Sequence, residues 1–221
     1  MRGWFKIIID YIYPKLCGIC GKLCKDSLCK KCEIRLNKKA IFGIDNYKNT
    51  TSYFDEHIYI FQYEGEIRKV LLDYKFNEKP YIYETFVTFI KNNSKACRKI
   101  KKYDIIIPVP ISKKRKKQRG YNQSSLFARE LAKELQIKYL ENMLIKTKNN
   151  VPQSTLDQAN RGENVKGVYE LSKMNVKNDF IAQNILIIDD IFTTGSTLNE
   201  CSKILKNIGT KNIGVLTIAK D

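Results

Sequence analysis

Histidine and tryptophan each occur once in this chain of 221 residues. The single histidine, His57, lies outside every motif identified below, so it reads as a packing or surface residue rather than a general base. No apolar stretch is long enough to span a bilayer without charges, which excludes a transmembrane segment. The N-terminal run MRGWFKIIIDYIYPKL superficially resembles a signal peptide, but Lys6 and Asp10 interrupt it and no small-residue cleavage site precedes Cys17, so no secretory leader is expected. The chain is therefore expected to be cytoplasmic, with Trp4, Phe5, Ile8 and Ile12 as one face of a short amphipathic helix packed on the body. No GxxxxGKS or GxxxxGKT sequence occurs, which excludes a Walker loop, and there is no internal repeat or low-complexity tract. Acidic residues are scarce, 23 against 40 basic, and the formal charge of +17 suits an anionic partner such as phosphate, nucleic acid or a membrane surface. An AT-rich coding sequence also enriches lysine, so local clusters say more than the total.

Against these absences stand seven cysteines, five of them between positions 17 and 32. CGICGKLCKDSLCKKC contains two CxxC pairs, Cys17 with Cys20 and Cys29 with Cys32. Two thiolates separated by two residues bind one metal from a single tight turn, and two such turns complete a tetrahedral all-sulfur site of structural Zn2+ type. Gly18 and Gly21 give the first turn its backbone freedom. Cys24, in the short connector, is a fifth thiol able to replace one ligand. A disulfide pair is disfavoured in a reduced compartment. Cys97 and Cys201 are isolated and read as buried thiols.

A hydrophobic content of 43% supports a packed core, and the length suits one ordinary domain with a small accessory module. The expected division is residues 1–36 as N-terminal helix and zinc module, 37–55 as a polar linker, and 56–221 as the main domain. Within it, EIRKVLLDYKF places Ile67, Val70, Leu71 and Tyr74 on one helical face, and PYIYETFVTFIKNN suggests a second helix opening at a proline. DIIIPVP reads as a buried strand, SSLFARELAKEL as a helix with Leu126, Leu131 and Leu135 inward, and IKYL and MLIKT as short strands. ILII, then LNECSKILKNIG with Leu198, Cys201, Leu205 and Ile208 inward, then IGVLTIAK, continue the alternation. Strands alternating with helices argue for an α/β fold with a parallel sheet, whose ligands bind beyond the carboxyl ends of the strands.

ILIIDDIFTTGST, residues 185–197, sits at such an end. Asp189 and Asp190 are pure acceptors when ionised, and a vicinal diol supplies two donors at suitable spacing. The following loop, with Thr193, Thr194, Gly195, Ser196 and Thr197, opens a helix whose N-terminal NH groups and dipole favour a phosphate. A diol beside a phosphate describes ribose 5-phosphate. KKRKKQR, from Lys113 to Arg119, lies beyond the other strand end with Tyr121 just after it and Arg129 further on. It reads either as a solvated loop or as an electrostatic track for single strands.

ILIIDDIFTTGST resembles the phosphoribosyl pyrophosphate motif of type I phosphoribosyltransferases. Together with CGIC and CKKC, YEGEIRKVLLDYKF, DIIIPVPISKKRKKQRGYNQS and VPQSTLDQANRGENVKGVYEL, it is similar to the ComF (ComFC) family, over nearly the whole chain. That resemblance implies a type I phosphoribosyltransferase fold, a central parallel sheet flanked by helices, fused to a small N-terminal four-cysteine zinc module. It implies that Asp189 and Asp190 bind the ribose hydroxyls, that residues 193–197 take the 5-phosphate, and that the turn from Pro110 through Ser112 into Lys113 meets the pyrophosphate with Mg2+. Arg119, Gln158, Arg161 and Asn164 match motif positions near the site, with Arg161 grouped with the two aspartates as catalytic, and residues 148–167 match a lid over the substrate. Single-stranded DNA handling during DNA uptake, beside a helicase-like partner, is the biology it implies. No segment identifies an acceptor base or amine. Three readings stand together: a ligand-binding protein of DNA uptake, an active phosphoribosyltransferase with an unidentified acceptor, and a zinc-dependent docking scaffold.

Overall fold

The computed structural model describes residues 15–48, 50–147, 167–172 and 183–221. The N-terminal face of Trp4, Phe5, Ile8 and Ile12 lies outside these residues, as does all but the last residue of the 148–167 lid. The described chain opens on the cysteine turns, closed by the Leu16–Leu23 bridge, and enters α1 (Lys30–Lys39). Strands β1 (Gly43–Asn46) and β2 (Glu56–Gln62) follow, then helices α2 (Gly65–Phe76), α3 (Ile82–Lys91) and α4 (Ser94–Ile100). Next come β3 (Ile105–Pro108), α5 (Lys113–Arg119), α6 (Gln123–Leu135), β4 (Lys138–Tyr139), β5 (Leu144–Lys146) and β6 (Tyr169–Leu171). Strand β7 (Asn184–Phe192), helix α7 (Ser196–Asn207) and strand β8 (Asn212–Lys220) complete it.

Six strands form one sheet in the order β1-β2-β8-β7-β3-β4, parallel throughout except for β1. The central strands are aliphatic on both faces because both faces are covered. The alternation is visible in β7, where Leu186 and Ile188 join one buried cluster while Ile185 and Ile187 join the other. Helices α2, α3 and α6 close the first face with Leu71, Phe86 and Leu131, and α7 closes the second with Leu198, Cys201 and Leu205. Strands β5 and β6 form a separate antiparallel pair whose Leu144 and Tyr169 reach that second cluster.

The structure departs from the sequence expectations in several places. Residues 37–55, expected as a polar linker, contain the end of α1 and the edge strand β1, in register with β2 from Gly43 opposite Tyr59 to Asn46 opposite Glu56. KKRKKQR is a helix, α5, rather than a loop. Ser112 Oγ accepts from the Arg115 NH at its start, Gly120 ends it at φ 78°, and its straight side chains are all good helix formers. Leu126 and Ile208 are only half-buried, and Phe127 and Ala128 fill the inward face of α6 instead. Cys97 is likewise half-buried, whereas Cys201 is fully buried.

Candidate functional site

Strand β7 runs further than its aliphatic core, so Asp189 and Asp190 belong to its final residues and not to a loop. Successive residues point to opposite faces, and the two carboxylates accordingly meet different partners. Asp190 is buried and receives Lys75 Nζ at 3.0 Å and Gln123 Nε2 at 3.1 Å. Asp189 accepts from Ser124 Oγ at 2.8 Å and from the Asp190 NH at 2.9 Å. Burial, and then the adjacent Asp190 charge, push the Asp189 carboxyl above its usual range, with Lys75 and Ser124 opposing. Gln123 is buried too, and its Oε1 has no hydrogen-bond partner among the described residues, leaving an acceptor open beside Asp190.

The chain then turns through residues 193–195 into the 12-residue helix α7. Gly195 holds φ 72°, and a Cβ there would lie 2.6 Å from the Phe192 ring, so only glycine fits the turn. Thr194 and Ser196 share a hydroxyl contact of 2.8 Å. Asp189 and residues 191–198 line a shallow concavity over the helix N-terminus. Phe192 is fixed from behind by His57, whose ring stacks on it at 4.1 Å. His57 is therefore a packing residue, fully buried.

The turn after β3 reaches the same end of the sheet. Asn122 Nδ2 donates to the Val109 carbonyl at 3.0 Å, tying the Val109–Pro110 turn to the start of α6. Ser112 is buried by its capping role, while Lys113 is exposed at the first position of α5. Arg119, the last residue of that helix, lays its guanidinium against the Phe76 ring at 5.0 Å, within electrostatic reach of Asp190. Burial lowers its pKa, with Asp190 opposing. Of the expected site residues, Asp189, Asp190, Pro110, Ser112, Lys113, Arg119 and residues 193–197 thus gather at the carboxyl end of β3 and β7. Gln158, Arg161 and Asn164 lie outside the described residues.

Several polar groups at this site escape a reading of the sequence. Lys75, Gln123 and Ser124 fall inside the quoted motifs, but helical period marks only the apolar face of α2 and α6 and says nothing of which polar neighbour reaches a strand end. Lys146, on β5, donates to the Tyr169 hydroxyl at 3.3 Å. Burial, then the nearby Arg115, lower the Lys146 pKa to about 8, with Asp189 among the groups opposing.

The cysteine turns form a second centre. The Sγ atoms of Cys17, Cys20, Cys29 and Cys32 lie within 4.8 Å of one another, a set that could hold a metal ion. Cys24 stands apart and donates its thiol to the Asp26 carbonyl at 2.6 Å. This centre is built onto α3: the Gly18 NH donates to Thr85 Oγ1 at 3.0 Å, and that hydroxyl donates to the Ser27 carbonyl at 2.6 Å. A Cβ on Gly18 would stand 2.4 Å from Thr85 Oγ1, so the close approach needs glycine. Cys17, Leu28, Cys32 and Leu36 share the main buried cluster with α3.

A family model described as "Phosphoribosyl transferase domain" matches residues 122–221, from the N-cap of α6 through the carboxylate strand and the loop of Gly195. Competence protein F of Haemophilus influenzae is 31% identical over 209 residues, covering 93% of this chain and 90% of that protein. The chain belongs to the ComF family. Within the ComF family, competence protein ComFC of Streptococcus pneumoniae is 29% identical over 164 residues, 74% of this chain and 68% of that protein. DNA utilization protein YhgH of Escherichia coli is 29% identical over 117 residues, 53% of this chain and 49% of that one. The ComF chain thus has the type I phosphoribosyltransferase fold, a mostly parallel sheet flanked by helices, with a four-cysteine centre at its N-terminal side. Among the described residues no helix is long and apolar enough to cross a membrane.

Proposed function

We propose that this ComF-family protein binds phosphoribosyl pyrophosphate with magnesium and handles single-stranded DNA during DNA uptake. One observation carries the ligand: paired carboxylates at the end of β7 lead directly into a glycine-pivoted loop at the N-terminus of a long helix. Asp189 and Asp190 accept the ribose hydroxyls, and Thr193, Thr194, Gly195, Ser196 and Thr197 take the 5-phosphate. Pro110, Ser112 and Lys113 face the pyrophosphate, while Arg119, whose guanidinium lies against Phe76, and Gln158, Arg161 and Asn164 are assigned by motif alone. The donor set fits magnesium, since two carboxylates and the unpartnered Gln123 Oε1 offer hard oxygen acceptors for the ion or its waters. Held there with the ligand, magnesium would supply positive charge to offset that of the pyrophosphate. Lys75 holds the Asp190 charge in place until then. The cysteine centre takes structural Zn2+, since four thiolates leave no open position for substrate. The DNA role draws on the names of the relatives and on α5, where six of seven residues are cationic.

Calorimetry tests the ligand. Phosphoribosyl pyrophosphate should bind with magnesium, and Asp190→Asn should weaken it by about 1.5–3 kcal/mol, the worth of a charge-assisted contact. Equal affinity for adenosine monophosphate and inorganic phosphate would overturn the assignment. A second reading, an active phosphoribosyltransferase, is favoured by Lys146, whose lowered pKa of about 8 suits proton transfer within electrostatic reach of Asp189. Pyrophosphate release from labelled ligand in the presence of a panel of bases and amines decides it.

A further inference from the structure

We propose that Phe76, backed by Arg119 at the end of α5, is a stacking platform for an unpaired base of a single-stranded nucleic acid. The inference rests on the single-strand reading above and assigns it a place on the surface. Phe76 closes α2 and is 61% exposed, among the most exposed large apolar side chains described. One face of its ring is covered by the Arg119 guanidinium at 5.0 Å, and the rest faces solvent. An aromatic face with a cation behind it is the arrangement that holds a base without regard to sequence, because every base has a π-face.

The occupant follows from charge. Helix α5 buries none of its residues, and Lys113, Lys114, Lys116 and Lys117 are exposed along about 10 Å of axis leading to Arg119. A polyanion lying on that helix brings its bases to the end where Phe76 stands. Tyr121, the aromatic nearest in sequence to this helix, is unsuited to the task. Its ring stacks on Tyr74 at 5.9 Å, and its hydroxyl donates to the Tyr74 carbonyl, so it fastens α2 to the turn before α6. Phe76, by contrast, keeps 61% of its surface in solvent, so its ring is within reach of a base.

The test uses the full-length protein, a labelled oligothymidylate, and an abasic strand of the same length. Wild type should bind the oligothymidylate more tightly than the abasic strand at low salt. Phe76→Ala should weaken the oligothymidylate about tenfold and leave the abasic strand unchanged, since stacking is removed while the phosphates are still held. Phe76→Trp should retain affinity and show fluorescence quenching on addition of oligothymidylate, beyond any change in wild type, which contains Trp4. Tight oligothymidylate binding that Phe76→Ala does not alter would overturn the platform and leave single-strand binding standing. Absence of binding to either strand by wild type would overturn both. An effect of Phe76→Ala on free thymine or thymidine monophosphate, with none on the oligothymidylate, would replace the strand by a small-molecule occupant and refute the proposal.

Discussion

Asp189→Asn is expected to stabilise the protein at neutral pH while it weakens ligand binding. Asp189 sits at the end of a buried strand beside a second carboxylate, and burial followed by the Asp190 charge raises its pKa from 3.8 to about 6. A carboxyl with a higher pKa in the folded state holds its proton more tightly there than in the unfolded chain. Its contribution is therefore complete below about 3.8, is lost as pH rises through the folded value near 6, and stays lost above it. About two pKa units at about 1.36 kcal/mol each bound the penalty near 3 kcal/mol at neutral pH. Asparagine removes the charge but keeps an Oδ1 acceptor for Ser124 Oγ and the Asp190 NH, so the local hydrogen bonds survive. For a chain of this size the gain corresponds to a rise in Tm of about 6–12 °C. Thermal melts of variant and wild type, compared at about pH 4 and about pH 7.5, measure it as a difference in which the other carboxylates cancel. The gain should appear at the higher pH and vanish at the lower. A variant less stable at neutral pH, or a difference that ignores pH, refutes the idea that this charge is held at a cost in stability for the sake of a ligand.

His57 should show the opposite slope. Burial lowers its pKa to about 4, with Asp45 opposing, so stability falls as pH drops from about 6.5 toward 4, and His57→Gln should flatten that limb; an unchanged slope argues against a buried neutral ring. Cys17→Ser or Cys32→Ser should remove about one zinc per chain by elemental analysis and lower Tm, because both cysteines are in the main core; full metal content in both variants would eliminate the four-thiolate site. Replacing Lys114, Arg115, Lys116 and Lys117 by glutamine should flatten the salt dependence of single-strand affinity, by about 0.7 in log-log slope for each phosphate no longer neutralised. Ligand binding at Asp190 should persist in that variant, and an unaltered slope would remove α5 from the strand's path.

The parts of the molecule legible in the sequence are those written in contiguous residues. Ile67, Val70, Leu71 and Tyr74 announce α2 by their spacing and are all buried. ILII announces a strand covered on both faces, and the structure buries Ile185, Leu186, Ile187 and Ile188 completely. The four cysteines are found by spacing, since two CxxC turns joined by a short connector need little chain to converge. What spacing cannot supply is pairing across the chain. Lys75 meets Asp190 from a distant helix, and nothing in DYKF distinguishes a lysine aimed at a buried carboxylate from one in water. The strand β1 is hidden for a related reason: GIDN carries no apolar alternation, because an edge strand buries little and is held by its backbone bonds to β2. Cys24 shows the converse, a residue whose type and position both suit a ligand but whose thiol is claimed by the Asp26 carbonyl.

The contact of Phe76 with Arg119 illustrates the same limit. On the helical wheel of α2 Phe76 lies about 200° round from Tyr74, away from the face of Ile67, Val70, Leu71 and Tyr74. Tyr74 is accordingly fully buried, with its hydroxyl on the Gln123 carbonyl, whereas Phe76 stands out into solvent two residues later. The difference is made by the helical period. Successive residues turn by about 100°, so Phe76 points away from the buried face, and Arg119, arriving from a helix far along the chain, reaches its ring. Lys75 and Phe76 therefore leave the same helix end in two directions, one toward the carboxylates of β7 and the other toward the basic face of α5. The last turn of α2 is thus the element that physically joins the two surfaces on which the proposed ligand and the proposed strand would sit.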